Sequence, residues 1–351
     1  MKDLVYCPYL GEKIPKENLS IEHIIPKSLG GHDKFTIHVD RETNSKLGSF
    51  IDGAVANDPI LGMKRVRSVS FKGSAKTFNW KNGRTESGAP FQLVFDQSTL
   101  KFFDPIAGHV VNSLPTGTEQ ITSKFKIDPY IRMPFSAKVA LGTGHYLFGE
   151  EFRKNALHNE LRIALKPIHE VEQSVLRKNK VLYTDYLFDK NNDKHKQSHR
   201  VHEAVIKHFG GASVLVDIDR KHMIFTIGLF GEWFSTISVP ITKDRFPYDG
   251  EYGLGHFVVI SGGSFSQISY REALHKVATE QFGINLPSLD KIQDGSVKLR
   301  SKSIVCQKCG YKEQLTGWKV KILLDKRTEF KESIRLIPCP QCGATTRELS
   351  E

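Results

Sequence analysis

The sequence predicts an α+β protein made of an N-terminal module, a central mixed α+β domain and a C-terminal cysteine-containing module. Three observations support this prediction. A strand, a loop, a second strand and a helix follow one another within residues 1–60, strong β patterns recur between residues 213 and 260, and two Cys-x-x-Cys pairs stand near the end of the chain. The length of 351 residues suits two or three domains. We expect domains at 1–60, 61–285 and 304–351, with a linker at 286–303.

The charge balance favours a polyanionic partner. Fifty lysines and arginines against 39 aspartates and glutamates give a net charge of +11, which suits nucleic acid without identifying it. No apolar run approaches the ~18 residues that a membrane span requires. The N-terminus lacks the apolar core of a signal peptide. We therefore expect a cytoplasmic protein with no membrane segment.

The N-terminal module is predicted element by element. The apolar run Ile21–Ile25 is a strand that Pro26 closes, because proline cannot donate to a β-ladder. Residues 27–34 are rich in turn formers and predict a loop, and 35–39 alternate as a second strand. Helical spacing follows over 41–56 and ends at Asn57-Asp58-Pro59.

Three side chains in this module have the chemistry of a one-metal hydrolytic site. His23 can take a proton from water near neutral pH. Glu22 and Asn44 offer carboxylate and amide oxygens, which suit Mg²⁺ or Mn²⁺. A Glu-His pair alone is more often an exposed polar turn. The Gly30-Gly31 loop and the helix that carries Asn44, at compatible spacing, favour the site.

Glu22-His23, the Gly-Gly loop and Thr43-Asn44-Ser45-Lys46 resemble the HNH endonucleases, which have a ββα-metal fold. The resemblance is strongest from Glu22 to Asp52 and covers about a seventh of the chain. It implies His23 as general base, Glu22 and Asn44 as ligands of a catalytic Mg²⁺ or Mn²⁺, and DNA as substrate, with RNA left open. Asp52 is interpreted as a structural group, with support of the metal ligands or a capping role as the alternatives.

The sequence departs from the family pattern at two places. The middle Asn of the motif falls near Phe35, where no Asn stands, and His38 or a backbone carbonyl is left to orient the base. Many relatives carry a zinc knuckle of two Cys-x-x-Cys pairs around this fold. Here Cys7 is followed by Leu10, and Asp40 and Thr43 occupy the second pair's positions. We expect no zinc in this module and a buried Cys7.

The stretch from Pro59 to Thr85 has no acidic residue. The alternation over 66–72 predicts a strand with a basic face that contacts DNA or RNA. A solvated cationic face is the alternative. The candidate nucleic-acid-binding residues are Lys64, Arg65, Arg67, Lys72, Lys76, Lys81 and Arg84, interleaved with Phe71, Phe78 and Trp80.

The central domain has no recognisable catalytic motif, so we expect a positioning or sensing role. An apolar helix is predicted over 134–149 and continues over 152–164. Lys138, His145 and His158 in this region could form a second site. A buried helix whose polar groups are snorkelled or capped is the favoured interpretation. The polar run 189–200 predicts an exposed loop. A hairpin is predicted at 91–95 and 100–103, and an antiparallel meander at 213–218, 223–229, 233–239 and 255–260.

The C-terminal module carries the clearest metal signal. Its thiolates at Cys306, Cys309, Cys339 and Cys342 suit a closed tetrahedral structural Zn²⁺ site, with redox and disulfide pairs as the alternatives. Strands predicted at Trp318–Leu324 and Ile334–Ile337 make this a zinc ribbon. A face for nucleic acid or protein is predicted at Trp318, Lys319, Lys321, Lys326 and Arg327.

These features together predict a metal-dependent HNH-type endonuclease that hydrolyses phosphodiesters of DNA. By analogy, such an architecture belongs to bacterial or phage restriction, defence or mobile-element systems. The alternative is a non-catalytic zinc-ribbon protein that binds nucleic acid. A homo-oligomer or a partner protein, bound through the central domain or the ribbon, is left open.

Overall fold

A computed structural model gives the architecture of the chain, which forms two compact units, residues 1–284 and 285–351. The described residues are 3–68, 77–85, 88–96, 99–111, 121–123, 129–166, 170–186, 196–218, 221–242, 252, 254–282, 302–306, 308–309, 312–315, 341–342 and 347–350.

The first unit begins with the predicted order of strand, loop, strand and helix. Two antiparallel ribbons precede a helical stretch that runs without interruption from residue 41 to 56 and includes a π-helical turn at 48–52. The predicted helix over 41–56 is therefore confirmed. The elements are β1 (Leu4–Cys7), β2 (Glu12–Pro15), β3 (Leu19–His23), β4 (Thr36–Asp40), α1 (Arg41–Leu47), α2 (Gly53–Ala56) and α3 (Pro59–Arg67).

Side-chain caps set where these helices begin. The carboxylate of Asp40 accepts from the backbone N–H of Thr43 at 2.8 Å and starts α1. Asp58 caps α3 in the same way, and Pro59 occupies the first turn of that helix. Because α3 continues to Arg67, the strand predicted over 66–72 is wrong at residues 66 and 67, and most of its remainder lies outside the described residues.

A five-stranded antiparallel sheet follows, in the order β8-β7-β6-β5-β9. The predicted hairpin is confirmed, with Phe95 opposite Leu100. The strands are β5 (Thr77–Thr85), β6 (Pro90–Asp96), β7 (Thr99–Asp104), β8 (His109–Val111) and β9 (Ile121–Ser123).

The helices at the centre of the chain begin with a long, largely buried one. The predicted apolar helix is confirmed, whereas its predicted continuation over 152–164 is interrupted at residues 156–158, where Ala156 forms a bridge to Ile241. The loop predicted over 189–200 is wrong at residues 196–200, where a helix begins, and residues 189–195 lie outside the described residues. The elements are α4 (Pro129–Phe148), α5 (Glu150–Asn155), α6 (Asn159–Leu165), α7 (Gln173–Leu176), β10 (Leu182–Asp185) and α8 (Lys196–Phe209).

A six-stranded antiparallel sheet completes the first unit, in the order β10-β13-β12-β11-β14-β15. The predicted meander is confirmed from β11 to β13. The fourth strand pairs with β11 instead of β13, because β10 already occupies the free edge of β13. The elements are β11 (Ala212–Ile218), β12 (His222–Leu229), β13 (Glu232–Pro240), β14 (His256–Ser261), β15 (Ser264–Ser269) and α9 (Tyr270–Phe282).

The β3–β4 ribbon and the six-stranded sheet share one hydrophobic core, and α4 joins them. A Cβ added at Gly142 of α4 would lie 3.1 Å from Ile24, so the helix backbone approaches the ribbon closely. Further along, Tyr146 packs edge-on against Phe35 with ring centroids 5.1 Å apart. The ribbon is therefore supported by residues far away in the sequence. The boundary predicted at residue 60 stays a prediction.

The second unit contains a three-stranded antiparallel sheet in the order β17-β16-β18. Its strands are β16 (Lys302–Cys306), β17 (Lys312–Leu315) and β18 (Arg347–Ser350). The strands predicted between the two cysteine pairs, at 318–324 and 334–337, lie outside the described residues. Within the described parts of the chain, no helix is long and apolar enough to cross a membrane.

Candidate active site

His23 is the last residue of β3, and a carboxylate holds its imidazole. The Nε2 atom of His23 lies 2.8 Å from Oδ1 of Asp33. Lys27 approaches the same Oδ1 atom at 2.7 Å. Hydrogen bonds from Lys27 and His23 lower the pKa of Asp33 to about 2. The ionised carboxylate can only accept, so Nε2 of His23 carries the proton in this contact.

The Gly-Gly loop brings Asp33 to His23. A 3₁₀ turn at Lys27–Leu29 follows Pro26, and the buried side chain of Leu29 anchors it. The N–H of Gly31 then donates to the carbonyl of Pro26 at 3.0 Å. A Cβ on Gly31 would lie 1.7 Å from the carbonyl oxygen of Ile25, so only glycine allows the loop to pass this close to the end of the strand.

Glu22 lies on the face of the ribbon that is covered by the core. It stands opposite the buried Ile37, and only 10% of its side chain is exposed. Its Oε1 atom forms an ion pair with the ammonium group of Lys138 in α4. Strand alternation places His23 on the other face, opposite Thr36. Glu22 and His23 therefore border the end of β3 from two sides.

Asn44 reaches the same face of the ribbon as Glu22. Its Nδ2 atom donates to Ser20 Oγ at 3.1 Å and to the carbonyl of Ile21 at 3.4 Å. Ser20 is two residues before Glu22, so both side chains project toward α1. With Nδ2 engaged, the amide oxygen of Asn44 remains as an acceptor.

The donor set fits a hard divalent cation in its chemistry. Carboxylate and amide oxygens from Glu22 and Asn44 are ligands that Mg²⁺ and Mn²⁺ accept, with water and phosphate completing the coordination. Because Oε1 of Glu22 faces Lys138, Oε2 is the oxygen left for a cation. No group of three or more His, Cys, Asp or Glu side chains arranged to hold a metal occurs in the described part of the chain.

Asp52 extends this cluster into the core. Its Oδ2 atom lies 2.5 Å from Nζ of Lys138, so the lysine bridges Asp52 and Glu22. Burial raises the pKa of Asp52 to about 6, although the charge of Lys138 opposes the rise. Burial and the two neighbouring carboxylates likewise raise the pKa of Tyr9 well above its usual value. The partner of Asp52 is therefore Lys138, and the structural interpretation of Asp52 stays a prediction.

Three residues bear on what replaces the missing middle Asn of the motif. Phe35 is buried in the core and has no polar group to offer. His38 is exposed and stands opposite Ile21, whereas Asp33 contacts the imidazole of His23 directly. The sequence left the orienting role open between His38 and a backbone carbonyl and missed Asp33. An acidic residue two positions after the Gly-Gly turn was the available signal.

Cys7 is fully buried, as expected. Its Sγ atom accepts a hydrogen bond from the N–H of Asp40 at 3.2 Å, and the Asp40 carboxylate is used to cap α1 through Thr43. Asp40 and Thr43 stand at the positions where many relatives carry a second cysteine pair. The structure places Asp40 next to Cys7, where it caps α1 through Thr43. The absence of zinc from this module stays a prediction.

The candidate nucleic-acid-binding residues do not form one free basic face in the described residues. Lys64 forms an ion pair with Glu232, and Arg65 is buried, with a guanidinium pKa that burial lowers. Arg84 is exposed and donates to the carbonyl of Gly88 at 3.0 Å. Arg67 ends α3 and Lys81 lies in β5, while Lys72 and Lys76 fall outside the described residues.

Three of the four cysteines of the predicted zinc site lie in described parts of the second unit. Cys306 ends β16, and Cys309 follows in the turn that leads to β17. Cys342 precedes β18 in the chain, and β18 pairs with β16, placing Arg347 opposite Cys306. Cys339 lies outside the described residues. The four-cysteine zinc site stays a prediction.

Comparison with known proteins bears on residues 7–59, which match the family model described as HNH endonuclease. The matched segment contains Glu22, His23, Asp33 and Asn44, whereas Lys138 lies far outside it. Neither the search of curated proteins nor the search of solved structures found a match.

Proposed function

We propose that this chain, whose residues 7–59 belong to the HNH endonuclease family, is a metal-dependent endonuclease that hydrolyses phosphodiester bonds in DNA. The observation that carries the proposal is the imidazole of His23, held by Asp33 at the end of a strand that also carries Glu22. Phosphodiester hydrolysis requires an oriented base and oxygen donors for a cation, and the end of β3 carries both, with His23 and Glu22 on its two faces.

His23 is the general base. Asp33 keeps the proton on Nε2, so Nδ1 can accept a proton from water as the water oxygen attacks phosphorus. The P–O bond to the leaving sugar oxygen breaks, and that oxygen takes a proton from solvent. Since 25% of the His23 side chain is exposed, the imidazole can meet a substrate without unfolding of the ribbon.

Glu22 and Asn44 hold the cation. Their oxygens lie on the α1 face of the ribbon, where Asn44 is fixed by its hydrogen bonds to β3. A divalent cation bound there supplies charge neutralisation at the phosphate. The site chemistry does not distinguish deoxyribose from ribose, so RNA is tested beside DNA.

Other parts of the chain supply attraction to the substrate. Lys27 is 61% exposed beside the His23–Asp33 pair and is placed to meet a phosphate. The net charge of +11 favours association with a polyanion. We assign a structural Zn²⁺ to the four C-terminal cysteines. We place the enzyme in a restriction, defence or mobile-element role on the likeness of its architecture alone.

A second candidate function is binding of nucleic acid without cleavage. The placement of Glu22 and His23 on opposite faces of the ribbon favours it, because hydrolysis needs the base and the cation to act on one phosphate. In that case the HNH module binds the phosphate backbone of the nucleic acid, and the C-terminal unit makes further contacts with it.

The test is a cleavage assay with supercoiled plasmid and with single-stranded RNA, in the presence of Mg²⁺ or Mn²⁺. We expect nicking that His23→Ala lowers by about 10²-fold or more. His38→Ala is the matched control, since it removes an exposed histidine of the same ribbon that stands away from Asp33. Cleavage that persists unchanged in His23→Ala would contradict the assignment of the base. Binding of DNA without cleavage under either metal would support the second candidate.

A further inference from the structure

Lys138 is a lysine inside the core whose charge is fully compensated by carboxylates of the HNH module. Its side chain has 0% exposure, and Nζ pairs with Oε1 of Glu22 and, at 2.5 Å, with Oδ2 of Asp52. Burying an ammonium ion is costly unless it is paired. Lys138 therefore ties the carboxylates of Glu22 and Asp52 to α4.

The partners of Lys138 have very different roles in the proposed site. Glu22 is the proposed cation ligand, whereas Asp52 lies eight residues after Asn44 in the same helical stretch, roughly 12 Å along it at helical rise. Both carboxylates contact the same Nζ atom, so the ammonium group of Lys138 lies between Asp52 and Glu22. The contact of Asp52 with Nζ fixes the end of the lysine side chain.

Fixing one oxygen of Glu22 determines where the other one points. A carboxylate free to rotate loses conformational freedom when it binds a cation, and metal-binding carboxylates are generally held by an outer partner that removes this cost. Lys138 holds Oε1, which leaves Oε2 for the cation. The chain Asp52–Lys138–Glu22 on one face of the ribbon parallels the chain Lys27–Asp33–His23 at the end of β3.

We propose that Lys138 is a positioning residue of the nuclease site: anchored by Asp52, it orients the carboxylate of Glu22 for the divalent cation. This inference rests on the proposed function. It extends the site beyond residues 7–59, because Lys138 belongs to α4. The HNH module then depends for its metal affinity on the helix that joins it to the central sheet.

The test is Mn²⁺ binding to the full chain, measured by the electron paramagnetic resonance signal of free Mn²⁺. We expect Lys138→Met to weaken Mn²⁺ binding about 10-fold or more, with Glu22→Gln as the reference for a lost ligand. Lys154→Met is the matched control, since Lys154 is exposed and pairs with Glu150 on α5, and its Mn²⁺ affinity should stay within twofold of the parent. Affinity unchanged in Lys138→Met would overturn the proposal, and tighter binding would also overturn it by showing that Lys138 competes with the cation.

A second variant keeps the test decisive if Lys138→Met does not fold. The double variant Lys138→Met with Asp52→Asn removes one positive and one negative charge and leaves a single uncompensated carboxylate. We expect it to fold and still to bind Mn²⁺ about 10-fold more weakly. Parent-like affinity in the double variant would refute the role of Lys138.

Cleavage separates this inference from the proposed function. A positioning role predicts that saturating Mn²⁺ restores most of the kcat of Lys138→Met, whereas His23→Ala stays inactive at any metal concentration. If the parent protein neither binds Mn²⁺ nor cleaves, the proposed function fails. If the parent does both and Lys138→Met has the same metal dependence as the parent, the inference about Lys138 alone fails.

Discussion

Oδ1 of Asp33 lies 2.8 Å from Nε2 of His23 in the described structure. The contact ties the strand that ends at His23 to the loop that follows it. Asp33 is largely exposed. Because the pKa of its carboxyl group is low, the carboxylate that faces His23 is ionised at neutral pH. We propose that Asp33 takes the role of the family's middle Asn from a different position in the chain.

Replacing Asp33 tests this substitution of roles. Asp33→Ala removes the group that fixes the orientation and the tautomer of the His23 ring. We therefore expect kcat to fall about 10-fold, which is part of the roughly 10²–10⁴-fold that a general base contributes. Asp33→Asn keeps an acceptor oxygen and should lose less. Single-turnover cleavage at saturating metal measures both. In the His23→Ala background, Asp33→Ala should have no further effect, and an additive loss would mean that Asp33 acts elsewhere.

The Gly31 position should be far less tolerant than Gly48. Gly31→Ala would place a Cβ 1.7 Å from the Ile25 carbonyl oxygen. The loop would have to move, and we expect a loss of more than about 3 kcal/mol in the free energy of unfolding. Gly48 has helical dihedral angles and open space around it, so Gly48→Ala should stabilise by about 0.5–1 kcal/mol. Urea unfolding of both variants gives the comparison, and equal losses would contradict it.

The sequence predicted the elements that carry Glu22, His23 and Asn44. Glu22, His23 and Asn44 follow from adjacent elements whose periodicity and caps are short-range features. Lys138 was considered as part of a buried helix with snorkelled or capped polar groups. Its carboxylate partners were not predictable, because no local pattern specifies which side of α4 meets the ribbon. Asp33 was missed because its contact depends on how tightly the Gly-Gly loop folds back.

The limits on predicting the fold have the same origin. Strands β11 to β13 were predicted from alternation, which is local. The pairing of β14 with β11 depends on β10, a strand that joins the sheet from a distant part of the chain. The helix that begins at Lys196 was missed because its first turn is polar, and its helical face becomes evident only beyond residue 200.

Acid should destabilise the first unit through His145. Burial, and then the charge of Arg153, lower the pKa of His145 to about 4. A histidine kept neutral in the fold contributes its full stability above its unfolded pKa of about 6.5 and loses it as the pH falls toward 4, by at most about 3 kcal/mol. Asp52 has the opposite shift, so the variant must be compared with the parent. Urea midpoints between pH 7.5 and 4.5 should fall less steeply in His145→Phe, and identical slopes would contradict the assignment.

Substitutions at Arg84 and Arg65 should have different effects, the first on DNA binding and the second on the free energy of unfolding. Arg84 is exposed, so Arg84→Ala should weaken DNA binding and reduce the slope of log K against log salt by about 1 if the side chain meets a phosphate. Arg65 is buried, so Arg65→Ala should lower the unfolding free energy by about 1–3 kcal/mol through lost packing. Fluorescence anisotropy over a salt series, with Lys154→Met as a remote control, measures the first effect. An unchanged salt slope in Arg84→Ala would remove that residue from the contact surface.

The zinc prediction is tested by comparing Cys306 with Cys7. Four thiolates in two Cys-x-x-Cys pairs should bind one Zn²⁺ per chain, so Cys306→Ser should lose the metal along with most of the stability of residues 285–351. Cys7 is buried in the first unit, and its sulfur accepts from Asp40, so Cys7→Ser should keep the zinc and alter only the stability of residues 1–284. Metal analysis of freshly purified protein gives the zinc content of each variant. Zinc lost from Cys7→Ser and kept in Cys306→Ser would place the ion in the N-terminal module, and no zinc in the parent would refute the site altogether.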